Sequence, residues 1–513
     1  MNTMVRVDWR ASVSLAGSVV KWLTVPMLFP VVLAAYYGRG LGTFLVSVAV
    51  AFAVGWALER LHADPSEALG AREGFLMVAL TWLLVSVVGA VPYLVEGWTT
   101  AYGAASTLRF PVNALFETMS GFTTTGSTVM GSISFERHSR ALMMWRQETQ
   151  WLGGMGIVVL AIAILPELSV GGAQLMDAEA PGPGIEKLTP RIAETARALW
   201  GLYVGLTAVE IAGLYVFHLV GMAPEMTLYN AVAHGFTTMP TGGFSPEARS
   251  LEAFTAVVQW FVIPFMVAAG MNFALFWHLW NRDFRTVLED VELRGYLGAI
   301  GVLTAIVAGL LYARPGFAAL TGSLEPSLRH AAFQIASIVT TTGYASMDFN
   351  VWGNHAQYVL LFGMFVGGSA GSTGGSIKVV RWVVILKSLR RELFTTVHPE
   401  AVRPVRLGDQ VVDETAVRGI YAFTVLYLLI FAVATLAVVV IGVPGGDLTA
   451  FEATSAVAAT LGNVGPGVGL VGPMNNFLPF PRSSKLLLFF LMWIGRLEII
   501  PVLVLLTRSY WRS

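Results

Sequence analysis

Apolar runs of bilayer-crossing length follow one another from end to end, and polar residues gather in the intervals between them. A helix needs about 20 apolar residues to cross a hydrocarbon core. Stretches near that length are Val13–Tyr36, Leu41–Leu61, Phe75–Val95, Leu142–Leu165, Ala196–Val220, Phe254–Trp280, Tyr296–Ala313, Tyr358–Leu386, Ile420–Val443 and Leu486–Leu506. The pattern predicts an all-α polytopic membrane protein with about ten spans.

Four further stretches have helical periodicity but are too short to cross: Val112–Phe122, Met226–Phe236, Ser327–Val339 and Ala450–Leu461. Each runs into a Thr- or Asn-bearing turn that ends on glycine. The turns read Thr123-Thr124-Thr125-Gly126, Pro240-Thr241-Gly242-Gly243, Thr340-Thr341-Thr342-Gly343 and Gly462-Asn463-Val464-Gly465. Successive copies lie about 100–120 residues apart, too far for a solenoid. The spacing fits a span–short helix–loop–span unit used four times. A half-length helix inside a bilayer is tolerated only when it is buried in protein or lines water. Its carboxyl end carries a fractional negative charge that favours a nearby cation. Glycine then supplies the positive φ that the turn demands. Four such loops on one axis present main-chain carbonyls that replace an ion's hydration shell. Thr124, Thr125, Thr341 and Thr342 add hydroxyls, and Asn463 adds an amide able to brace the loop. Any one of these turns reads better as a surface connection; four in the same setting reverse that and favour an ion path.

Composition narrows the class. Hydrophobic residues make up 55% of the chain and charged residues 12%, against roughly 25% charged in a soluble domain. The net charge of zero implies no nucleic-acid partner. Without cysteine there is no disulfide or thiolate chemistry. The eight histidines are scattered with no HExxH pair, which argues against a metal hydrolase. The first apolar stretch lacks a small-residue cleavage site and reads as a span rather than a cleaved signal.

Basic residues cluster in alternate intervals. One side carries Arg60 and Arg72, then Lys187, Arg191 and Arg197, then Arg282, Arg285 and Arg294. It also carries the dense Lys378, Arg381, Lys387, Arg390, Arg391, Arg403, Arg406 and Arg418 group, and finally Arg508 and Arg512. The turn-bearing side has fewer. Positive charge marks the cytoplasmic face, so the turns are expected to open outward and both termini to lie inside. The Lys378–Arg406 segment reads as a solvated loop, a docking site for a cytoplasmic partner, or a contact for anionic lipid.

Several features sit within the spans. Gly367, Gly368, Gly371, Gly374 and Gly375 interrupt Tyr358–Leu386; each glycine costs a helix roughly 1 kcal/mol relative to alanine. The segment reads as a flexible intramembrane gate, or as a site of close helix packing. Arg496 lies in Leu486–Leu506, where a charge costs about 2.5–3.5 kcal/mol or more at mid-bilayer. It is expected either to face the ion path or to pair with Glu498. Glu210 reads as an ion or proton relay or as an interhelical carboxylate, and Glu117 and Glu148 as loop braces or cation attractors. Gly467-Val468-Gly469-Leu470-Val471-Gly472 matches GxGxxG but follows no strand, so it is set aside as an extension of the fourth loop.

These turns and their flanks resemble the Trk/Ktr/HKT superfamily of potassium transporters, most closely its bacterial TrkH members. The resemblance rests on Met119-Ser120-Gly121-Phe122 before the first turn, Trp151-Leu152-Gly153-Gly154-Met155-Gly156, and Ile164-Leu165-Pro166. It rests further on Ala178–Pro183, Leu188–Ala196, Gly367–Gly375, Asn463-Val464-Gly465-Pro466-Gly467 and Gly495-Arg496-Leu497-Glu498. It covers nearly the whole chain. At the fourth turn the chain departs from the family, with Gly462 where Asn is more usual.

The resemblance implies a two-helix leader over residues 1–68, then four M1–pore-helix–M2 repeats over 69–185, 186–290, 291–412 and 413–513, around one pseudo-fourfold pore. It implies a potassium filter at Thr124, Thr125, Gly126, Thr241, Gly242, Gly243, Thr341, Thr342, Gly343, Asn463, Val464 and Gly465, and a gate at Gly367–Gly375 and Arg496. K⁺ is then the transported ion, with no organic cofactor in this chain. The resemblance further implies a homodimer in the bacterial inner membrane, contacting lipid and a TrkA-like cytoplasmic nucleotide-binding ring. Two functions fit: channel-like potassium uptake gated by that partner, or an H⁺- or Na⁺-coupled symporter with alternating access. No catalytic pair with suitable spacing points to an enzyme.

Overall fold

The computed structural model describes residues 7–61, 71–163, 192–314 and 320–512. The motifs Ile164-Leu165-Pro166 and Ala178–Pro183, the basic residues Lys187 and Arg191, and the expected boundaries at 68 and 185 lie outside the described residues. Apart from one short antiparallel pair, Arg406–Leu407 with Gln410–Val411, the regular structure is helical.

Apolar residues fill the interior and also cover much of the outer surface. Along Glu414–Ile441, Val425, Leu429, Val433, Leu436 and Val440 form an exposed stripe at helical spacing. Within the apolar interior lies a polar group, Thr123, Thr124, Thr125, Gln147, Thr149, Gln150, Gln334 and Thr340, all buried. Large apolar surface facing outward identifies lipid as the surrounding solvent.

Among the described residues, five helices are long and apolar enough to cross a bilayer: Leu41–Glu59, Arg72–Thr99, Arg197–Leu219, Val291–Ala313 and Glu414–Ile441. The remaining expected spans are interrupted or polar. Val13–Tyr36 divides into Trp9–Trp22 and Leu28–Tyr37 around Pro26, as a ring lacking an N–H would cause. Phe254–Trp280 is two helices, Ala256–Ala269 and Phe273–Trp280, bent by 101°. At that bend Asn272 caps the second helix through Ala274 N at 2.9 Å. Tyr358–Leu386 breaks between Gly353–Gly363 and Val379–Val397. Leu486–Leu506 breaks between Arg482–Arg496 and Ile500–Leu505, with Glu498 and Ile499 both at positive φ. Arg140–Ala163 is continuous but carries a buried polar run, Arg146 to Gln150.

The four short helices are Pro111–Phe122, Leu228–Thr238, Leu324–Val339 and Ala450–Leu461. Their starts are locally encoded. Pro111 occupies the first turn, where its missing N–H costs nothing. Thr227 accepts from Asn230 N, and Thr449 with Glu452 forms a reciprocal capping box. Their last two turns are almost wholly buried, so each points a carboxyl end into the protein centre.

A ring of four loops and the segment beside it

The four turns share one backbone. Thr124, Thr241, Thr341 and Asn463, each two residues before the terminal glycine, have φ of 51, 55, 60 and 53°. The glycines Gly126, Gly243, Gly343 and Gly465 follow at 84, 74, 79 and 108°. A non-glycine residue in the left-handed region is sterically costly. Four at one register position therefore mark a conformation imposed by the assembled structure.

The turns close on each other in order. A Cβ on Gly126 would collide with the Gly242 carbonyl oxygen, one on Gly243 with that of Thr342, and one on Gly343 with that of Val464. One on Gly465 would lie 2.7 Å from the Thr125 carbonyl oxygen, completing the circle. Thus Thr125, Gly242, Thr342 and Val464 direct their carbonyls at the neighbouring loop's glycine. That neighbour must lack a side chain because a main-chain oxygen occupies the space. On one side the ring opens into a cavity lined by all four glycines together with Ser127, Arg146, Ser245, Glu247 and Asn475.

Each loop is held differently. Glu117, at 0% exposure, accepts from Val129 N (2.8 Å), Thr128 Oγ1 (2.8 Å) and Arg146 Nε (2.7 Å). Arg146 also donates to the Ser245 carbonyl at 3.2 Å and lies 3.5 Å over the Phe244 ring, so one side chain ties the first loop to the second. Gln150 clamps the second loop at Gly242 and Phe244. Ser337 and Gln334 both donate to the Tyr344 carbonyl, at 2.7 and 3.0 Å. Asn463 donates to Thr125 Oγ1 and to the Met492 carbonyl, both at 2.9 Å, joining the fourth loop to the first. Arg146 and Gln150 were missed from sequence. Their signal was the run of five polar residues inside Leu142–Leu165, which a membrane span keeps only for a partner in the interior.

The glycine-rich segment between Gly363 and Val379 is non-helical and packs against the ends of the short helices. Thr373 Oγ1 donates to the Met239 carbonyl at 3.0 Å, and Gly375 N donates to Thr341 Oγ1 at 2.7 Å. A Cβ on Gly374 would lie 3.2 Å from the Thr340 carbonyl oxygen, and one on Gly375 2.5 Å from that of Gly462. The segment therefore reaches three of the four loops. A carboxylate and two cations pin it. Arg496 Nη1 donates to the Thr373 carbonyl at 2.7 Å, Lys378 Nζ to that of Gly374 at 2.5 Å, and Glu292 accepts from Ala370 N at 2.7 Å. Gly368 and Gly371 pack it against the bend at Gly270–Asn272.

Arg496 is buried at 3% exposure, and the carboxylate of Glu498 pairs with Arg381 at 2.5 Å. The basic group beginning at Lys378 is therefore not all solvated loop: Lys378 is half-buried and Arg381 is buried over the Phe423 ring. Glu210 is buried beside Thr238 and Glu148 is buried as well, so neither contacts solvent directly. The GxGxxG stretch packs as a short turn whose Gly469 and Leu470 amides donate to Asn350 and Glu452. No group of His, Asp or Glu among the described residues is arranged to hold a metal ion.

Helices with apolar outer faces, around a buried polar centre where four loops close on one another, define a multi-pass membrane transport protein. The profile of the TrkH family, described as cation transport proteins, matches residues 42–512, and the chain belongs to that family. It is 35% identical over 513 residues to the Trk system potassium uptake protein TrkH of Salmonella typhimurium, covering 98% of this chain and all of that protein. It is 33% identical over 509 residues to the Trk system potassium uptake protein TrkG of Escherichia coli, covering 98% of this chain and 99% of that protein. The crystal structure of the potassium transporter TrkH from Vibrio parahaemolyticus superposes with a TM-score of 0.85 at 32% identity, covering 99% of this chain and 100% of that one.

Proposed function

We propose that the chain takes up potassium ions across a bacterial inner membrane through the ring formed by residues 124–126, 241–243, 341–343 and 463–465. The reading divides the chain into a two-helix leader (1–68) and repeats over 69–185, 186–290, 291–412 and 413–513, arranged about one pseudo-fourfold axis. The observation that carries it is the closed circle of glycine–carbonyl contacts. Alternation of left-handed and ordinary φ through each turn aligns successive carbonyls along one wall, which substitutes main-chain oxygens for hydration water. Thr124, Thr125, Thr341 and Thr342 line the same loops.

The segment Gly367–Gly375 is the gate on the cytoplasmic side of the filter, with Arg496 holding it in place through Thr373. Its glycines make a second conformation accessible at low cost. A positive charge there opposes a resting cation and so hinders leak while the gate is shut. The family resemblance implies a homodimer working with a TrkA-like nucleotide-binding ring, and the relatives' names as parts of a Trk system fit a protein that works with others. That ring would dock on the exposed basic residues Arg390, Arg403 and Arg406 of the Lys378–Arg406 segment, with both termini on the same, cytoplasmic face.

The test is ion flux into proteoliposomes with K⁺, Rb⁺, Na⁺ or Li⁺, comparing wild type with Gly126→Ser and Gly343→Ser. The filter reading expects K⁺ and Rb⁺ ahead of Na⁺ in the wild type and loss of that order in both variants. Unchanged order in the variants rejects it. K⁺ flux that stops when proton and sodium gradients are abolished would instead identify a coupled symporter.

A further inference from the structure

Of the four carbonyls that face a neighbouring glycine, those of Thr125, Thr342 and Val464 accept no hydrogen bond from any described residue, whereas that of Gly242 accepts from Gln150 Nε2 at 2.7 Å. The same Gln150 accepts the Phe244 amide on Oε1 at 3.0 Å. The two contacts fix its orientation, because the donor end must meet a carbonyl and the acceptor end an N–H. Gln150 is completely buried, and a Cβ on Gly242 would collide with its amide carbon, so nothing larger than glycine fits between them. The second loop thus carries a side-chain clamp on the very atom that its three counterparts leave free.

We propose that Gln150 is a selectivity-determining positioning residue, which makes the second loop's carbonyl a weaker and less mobile ligand than the other three. The proposal rests on reading the ring as the ion filter. A carbonyl already accepting an N–H has one lone pair engaged and its oxygen density drawn toward the donor, which lowers its field strength toward a cation. Field strength and flexibility of the coordinating dipoles set which alkali ion a ring prefers. A weak, pinned ligand disfavours the small ions Na⁺ and Li⁺, which need close, strong oxygens to offset their dehydration. A free carbonyl at this place moves inward and contracts around them. Gln150 touches no ion in this account; it acts through Gly242.

The experiment measures K⁺/Na⁺ flux ratios in proteoliposomes for wild type, Gln150→Leu, Gln150→Glu and, as a filter control, Gly343→Ser. Gln150→Leu removes the clamp at similar volume and is expected to lower the ratio about fivefold, the scale of one hydrogen bond. Gln150→Glu separates the clamp from simple packing. A protonated carboxyl donates to Gly242 and accepts from Phe244 as glutamine does, while an ionised one has no donor. Its ratio is therefore expected to stand near wild type at acid pH and to fall as pH rises, with the wild-type ratio constant over the same range. Should Gln150→Leu misfold, the pH dependence of Gln150→Glu alone decides the matter. A shift in Gly343→Ser with no change in Gln150→Leu and no pH dependence in Gln150→Glu overturns the role of Gln150 and leaves the filter standing. No shift in any of the variants rejects both.

Discussion

Arg146 and Glu117 form a buried ion pair, 2.7 Å between Nε and Oε1, at 1% and 0% residue exposure. The pair ties the first loop to the second. Glu117 belongs to the first short helix, and Arg146 reaches the Ser245 carbonyl beyond the second loop. Its ionic partners are further satisfied by Val129, Thr128 and the Phe244 ring, the condition under which a buried pair is not a liability.

Removing one member strands the other. Arg146→Met is expected to destabilise the protein by about 3 kcal/mol, because it leaves a buried carboxylate without its counter-charge. Arg146→Met with Glu117→Gln should cost less than the sum of the single changes. Thermal unfolding in detergent, followed by loss of the monodisperse peak, measures both.

Alanine at Gly126, Gly243, Gly343 or Gly465 forces a methyl group toward a neighbouring carbonyl and a side chain into positive φ. Each change is expected to abolish selective flux or to prevent assembly. Gly301→Ala, in the helix Val291–Ala313 with open space around it, should leave flux intact and slightly stabilise the fold, since alanine is the better helix former by up to about 1 kcal/mol. Equal damage from Gly301→Ala would show that glycine replacement harms this protein regardless of place.

Arg496→Ala frees the Thr373 carbonyl, and Glu292→Ala frees the Ala370 amide at the other end of the same segment. Both are expected to raise basal K⁺ conductance, measured in planar bilayers. If neither moves it, the glycine-rich segment is not the barrier. Arg496→Lys, keeping the charge but losing the fork of donors, should fall between wild type and alanine.

Thr449→Ala removes the cap of the fourth short helix. The expected cost is about 1 kcal/mol, read as a lower unfolding temperature with an unaltered K⁺/Na⁺ ratio, because the cap lies at the end remote from Gly465.

Spans and short helices were legible because their signals are local. Ala450–Leu461 was read with the observed bounds, and Pro111–Phe122 differs from the expected stretch by one residue. The breaks were not all visible. The glycines at 367–375 announce theirs, but Arg496 and Glu498, or Gly270 and Asn272, are too few polar or glycine positions to mark a break in a long apolar run. Positive φ at Thr124, Thr241, Thr341 and Asn463 was hidden for another reason: tertiary packing imposes it on residues that would not choose it alone. Asn463 and Glu117 were legible as braces, but the partners of the braces were hardest to see. Gln150 and Gly242, or Asn463 and Thr125, are partners separated by 92 and 338 positions, and nothing in the local pattern joins them.

Because one continuous polypeptide supplies all four quadrants, no symmetry operator obliges them to match. A mutation alters a single wall and leaves three as they were, whereas the same mutation in an assembly of identical subunits would strike every wall at once. With the ring as the proposed filter, ion preference can be adjusted in quarter steps, each through its own supporting side chain, and the unequal props on the four loops give that freedom a structural basis.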